Sequence, residues 1–102
     1  MIAAAPPPAR VQVVAREFSF ALSRTTITAG DAIVELVNDG QDSHDLRMQR
    51  VGGSRVYVWP TVLPGRFADR AYRLLPGTYV LWCSLADHRE LGMTAKLVVR
   101  RR

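Results

Sequence analysis

Leu75-Pro76-Gly77-Thr78-Tyr79-Val80-Leu81-Trp82-Cys83 is the stretch on which the fold turns. Pro76-Gly77 is a turn signal, and the β-branched and aromatic residues after it form the strongest strand pattern in the chain. Working outward, Thr94-Ala95-Lys96-Leu97-Val98-Val99 closes the chain as another strand. Upstream, Ala32 to Val37 is extended between the turn residues Ala29-Gly30-Asp31 and Asn38-Asp39-Gly40.

The rest of the chain reads the same way. Residues 11–22 alternate as one strand bent near Arg16, and Thr25 to Thr28 is β-branched. Leu46 to Val51 is extended and ends at Gly52-Gly53-Ser54. Pro60 makes Arg55 to Leu63 an irregular or edge strand, because proline lacks the ladder N–H. Arg66 to Leu74 follows the Leu63-Pro64-Gly65 turn. No segment has a helical period. About seven to eight short strands at this spacing predict an all-β, antiparallel Greek-key sandwich or small barrel.

The 102 residues suffice for one domain, predicted over 10–102. Residues 1–9, small and proline-rich, read as a stiff, disordered leader and lack the features of an export signal. No apolar run approaches the roughly 20 residues of a membrane helix. The net charge of +5 comes from 13 arginines and Lys96 against nine acids. Apart from Arg100-Arg101-Arg102 the arginines are scattered, and no nucleic-acid recognition motif accompanies them. Nucleic acid is therefore not an expected partner.

Chemistry concentrates in Cys83-Ser84-Leu85-Ala86-Asp87-His88-Arg89-Glu90-Leu91-Gly92-Met93. Cys83, the sole cysteine, can be a buried apolar residue, a catalytic thiol or a metal ligand. His88 and Met93 each follow after four intervening residues, so one loop can turn thiolate, imidazole and thioether toward a common volume. The only other histidine, His44, lies beyond the Asn38-Asp39-Gly40 turn. Two imidazoles, one thiolate and a weak thioether suit copper, which accepts this mixed set in both oxidation states. Zinc has little use for a thioether, and iron–sulfur clusters need more cysteines. Met48 is the alternative thioether.

With these residues in place, the sequence resembles the cupredoxins, the blue copper proteins that include plastocyanin and azurin. The likeness also takes in Leu75-Pro76-Gly77-Thr78-Tyr79 and the turn before His44, and spans about residues 11 to 99. It implies one type 1 copper, Cu(II)/Cu(I), held by His44, Cys83, His88 and Met93. The ligand loop is longer than in plastocyanin and nearer to the spacing in rusticyanin. Asp45 stands where plastocyanin and azurin have asparagine, and is expected to pin the Ser84 region by hydrogen bonding, with Asn38 a further supporting residue.

The resemblance further implies an electron port at His88, rimmed by Leu85, Ala86, Leu91 and Gly92. Trp82 reads first as cover for an outer sheet face and second as a remote docking position. Phe18, Phe20, Leu36, Tyr79 and Leu81 are expected core, and Trp59 a packing residue. The implied function is single-electron shuttling by a monomer without enzymatic activity. The implied partner is a redox protein such as a cytochrome or a copper oxidase or reductase. The implied location is periplasmic, secreted or tethered outside the cytoplasm. A copper chaperone or accessory domain, and a domain excised from a larger copper protein, are the competing readings.

Overall fold

The computed structural model describes residues 6–102, so most of the expected leader (residues 1–5) lies outside the described residues. The first strand, β1, runs Ala9–Arg16, taking in a residue assigned above to the leader. It is followed by β2 (Ser19–Leu22), β3 (Thr26–Thr28), β4 (Gly30–Asn38) and β5 (His44–Arg50). β6 (Val56–Val62), β7 (Phe67–Leu74), β8 (Gly77–Trp82) and β9 (Thr94–Arg100) complete the chain. One sheet has the order β2-β1-β4-β7 and the other β3-β9-β8-β5-β6, and no helix occurs among the described residues.

Two expectations need correction. Residues 11–22 are not one bent strand but a hairpin, with Val13 opposite Leu22 and Arg16 opposite Ser19. The Glu17-Phe18 turn lacks glycine and proline, so alternation runs across it without a visible break. The sheets are also mixed rather than antiparallel, since β1 pairs in parallel with β4 and β3 with β9. Between β1 and β4 the chain crosses to the other sheet as β3. A strand returning from such a crossing escapes the reversal that a hairpin imposes. Pro60 lies in β6, which is an edge strand of its sheet.

Alternation fills the space between the sheets. Val11, Val13 and Ala15 of β1 and Ala32, Val34 and Leu36 of β4 face Leu46 and Met48 of β5, Tyr79 and Leu81 of β8, and Leu97 and Val99 of β9. Phe18 and Phe20, expected in this core, are only half-buried and pack at its margin. Trp59 is fully enclosed, and its indole N–H donates to the Val34 carbonyl at 3.0 Å, joining β6 to β4 across the sandwich. Tyr72 makes a second tie by donating to Val58 O. Burying these side chains is the main stabilising contribution, at about 1.5–3 kcal/mol each.

Candidate metal centre

The inward-facing alternation runs past the ends of three neighbouring strands. On β8 it continues Tyr79, Leu81, Cys83; on β9, read backward, Val99, Leu97, Ala95, Met93; on β5, also backward, Met48, Leu46, His44. Because β8 is antiparallel to both neighbours, all three sequences reach the same pole. Cys83, Met93 and His44 are each fully buried there. A register irregularity between His44 and Leu46 lets His44 and Asp45 both turn inward. Met48 stands opposite Leu81, below this layer.

His88 comes from the loop instead. Its N–H donates to Leu85 O at 3.1 Å, its carbonyl accepts from Met93 N at 3.0 Å, and Cys83 N donates to Met93 O at 3.2 Å. Gly92 has φ +114°, and a Cβ there would sit 3.4 Å from the Phe18 carbonyl. Any other residue would be strained at this φ, so the glycine lets the loop close against the β1–β2 turn. Phe18 packs on the His88 ring, with centroids 4.9 Å apart.

The donor atoms of His44, Cys83 and His88 lie within 4.8 Å of one another. His44 Nδ1 is 3.3 Å from His88 Nδ1, which is 3.5 Å from Cys83 Sγ. Two imidazole nitrogens and a sulfur so close together, on a buried floor, can hold one metal ion in a trigonal set. That donor chemistry fits copper. Burial pushes the Cys83 thiol above its ordinary value, and backbone N–H groups of Asp45 and Leu85 only partly oppose this. A bound cation would therefore be needed to keep the thiolate at neutral pH. His44 is wholly enclosed, whereas the His88 side chain keeps 13% of its exposure and is the ligand candidate nearest solvent.

The surrounding polar groups are fully engaged. Asp45 accepts the Ser84 N–H at 2.6 Å and also bonds the Ser84 hydroxyl, while Arg47 approaches it at 3.7 Å. Asn38, also buried, donates to Asp42 O at 2.7 Å and Val62 O at 2.8 Å and accepts from Gly40 N. Leu85 is half-buried against the core, while Ala86, Leu91 and Gly92 are exposed on the loop. Trp82 projects from the opposite face beneath the Arg89 guanidinium, 4.8 Å from its ring centroid.

Two residues at this pole escaped the sequence reading: Phe18 and Glu17. Glu17 Oε1 lies 3.2 Å from His44 Nε2 and accepts the backbone N–H groups of Gln41 and Asp42. Glu17 lies in the β1–β2 turn, just past the last residue of β1, where strand alternation no longer places a side chain.

No family model matches the chain, and neither does any curated protein sequence. Solved structures do match. The reduced auracyanin of Roseiflexus castenholzii superposes with a TM-score of 0.72 over 92% of this chain and 98% of its own, at 15% identity. Auracyanin A of Chloroflexus aurantiacus, a blue copper protein, gives 0.73 over 92% and 100%, at 16% identity. A purple cupredoxin from Nitrosopumilus maritimus gives 0.61 over 86% and 97%, at 18% identity. The fold is that of the cupredoxins. At these identities the cupredoxin likeness concerns the framework. The donor cluster at its pole is a property of this chain's own side chains.

Proposed function

We propose that this chain is a type 1 copper protein that carries single electrons and catalyses no reaction of its own. The observation carrying the proposal is the convergence of one donor atom each from His44, Cys83 and His88 within 4.8 Å. Met93 is proposed as the weak fourth ligand, a role supported by its burial and its backbone bonds to both Cys83 and His88. The metal supplies a one-electron couple. The protein's own task is to keep the ligand geometry from changing between oxidation states. Three of the four ligand positions continue adjacent strands of one sheet, and close packing beneath them resists rearrangement.

His88 is the proposed electron port because it combines ligand geometry with residual exposure. Leu85, Ala86, Leu91 and Gly92, with Phe18, form the proposed contact rim. A small rim of this kind suits a weak, fast-exchanging complex. Glu17 and Asp42, with Asp87 and Glu90 on the loop against Arg89, give the pole an acidic cast despite the chain's net charge of +5. This favours a redox partner, such as a cytochrome or a copper oxidase or reductase, whose contact surface is neutral or basic. The protein is read as a monomer acting outside the cytoplasm, where copper carriers of this fold work.

A chaperone role is less well supported, because the single thiolate is fully buried rather than placed for metal exchange. A domain of a multicopper enzyme would need further histidines, and the chain has two. Adding Cu(II) to the purified protein should produce an intense blue or green sulfur-to-copper band. Ascorbate should bleach it reversibly, and Cys83→Ser should abolish it. Bound copper without that band would sink the proposal.

A further inference from the structure

We infer that Glu17 is a positioning residue for the copper site: its carboxylate takes the Nε2–H of His44, presents the ring's Nδ1 to the metal, and sets a fixed negative charge behind the ligand that favours Cu(II) over Cu(I). This inference rests on the copper reading above and concerns a residue outside the ligand set.

The geometry separates the two rings. His44 Nε2 stands 3.2 Å from Glu17 Oε1, within hydrogen-bond range, while His88 Nε2 is 4.0 Å from Asp42 Oδ2, beyond it. Only one imidazole has its outer nitrogen engaged by a carboxylate. A neutral imidazole carries its single proton on one nitrogen, so the tautomer is set by whichever nitrogen has an acceptor. Glu17 can only accept. Its Oε1 already takes the backbone N–H groups of Gln41 and Asp42, so it stands here as an acceptor. His44 must therefore donate from Nε2, which leaves the Nδ1 lone pair facing His88 Nδ1 at 3.3 Å.

The carboxylate is held in place by its surroundings. The N–H groups of Gln41 and Asp42 grip Oε1, and a Cβ on Gly40 would come within 2.6 Å of both carboxylate oxygens. Glycine at position 40 thus opens the space Glu17 occupies. A gripped carboxylate behind a ligating imidazole raises that ligand's basicity and fixes its orientation, and losing such a partner typically costs 10–100-fold in metal affinity. The charge acts more strongly on the doubly charged ion, so the loss should fall mainly on Cu(II).

The alternative is that Glu17 merely caps the 40–42 loop. Glu17→Gln separates the two, because it keeps the length and one acceptor oxygen while removing the charge. In the copper-loaded protein, Cu(II) affinity should fall about tenfold or more relative to Cu(I) in this variant. That fold-change is a rise in potential of about 59 mV per factor of ten for a one-electron couple. Independently of any variant, nitrogen NMR of the native protein, metal-free or Cu(I)-loaded, should find His44 protonated at Nε2. An intact blue or green band with an unchanged potential in Glu17→Gln, or a native His44 protonated at Nδ1, would overturn the inference. Absence of the band in the native protein would instead count against the copper reading, and the tautomer measurement would still decide the role of Glu17.

Discussion

The Asp45 carboxylate takes both the backbone N–H and the hydroxyl of Ser84, bridging β5 and the end of β8 at the residues that directly follow His44 and Cys83. One side chain therefore sets the spacing of two proposed ligands. Asp45 is itself only 2% exposed, and its removal leaves the part-buried Ser84 N–H and hydroxyl without their acceptor. Asp45→Ala should destabilise the fold by about 1–3 kcal/mol and weaken copper binding. Asp45→Asn, which can still accept from the Ser84 N–H, should lose less on both counts. Urea unfolding and copper titration of the two variants provide the check.

Met93 and Met48 are both fully buried and differ in level, one beside Cys83 and the other opposite Leu81. Leucine is close to methionine in volume, so either replacement should cost under about 1.5 kcal/mol. Met93→Leu should nonetheless shift the reduction potential, whereas Met48→Leu should leave it unchanged. Equal potentials in both variants would remove Met93 from the ligand set.

Much of this was legible in the residues. Pro60 marked an edge strand, and Pro76-Gly77 marked the start of β8. The gathering of residues 83, 88 and 93 at one pole was legible because a cysteine, a histidine and a methionine lie at loop spacing between two strands. Glu17 and Phe18 were not, because the β1–β2 hairpin sets Glu17 against Gln41, Asp42 and His44, 24 to 27 positions later, and Phe18 against His88, 70 positions later. A periodic pattern reports which face a residue lies on but carries no information about such a distant neighbour. The parallel pairing of β1 with β4 was hidden for the same reason, since it depends on a crossing between sheets rather than on local sequence.

Acid should expose the contribution of Glu17 to the fold. Its carboxyl falls from 4.5 to about 2 in the folded chain, so the folded state binds this proton less readily than the unfolded state. The resulting stabilisation is complete above pH about 4.5 and is lost as pH falls toward about 2. The stability difference between the native protein and Glu17→Gln, measured metal-free, should therefore shrink across that window. A difference that stays constant from pH 5 to 2 would contradict the assignment.

Leu91 is 57% exposed on the loop that carries His88. If this rim is where electrons pass, a charge placed there should impede contact without altering the metal. Leu91→Asp adds a carboxylate to an already acidic pole, and should slow electron self-exchange by about tenfold or more at low salt while leaving potential and colour intact. Added salt should recover part of the rate.

The arrangement of Cys83, Met93 and His44 on three side-by-side strands has a mechanical consequence. An ion seated among them would act as a clasp, fastening the terminal strand β9 to β5 across β8 and closing a long covalent circuit in the chain. Loading should then slow amide exchange most along the upper rungs of that sheet and hardly at all along β1, β4 and β7, so the same ion that moves electrons would also govern how readily the C-terminal strand peels away.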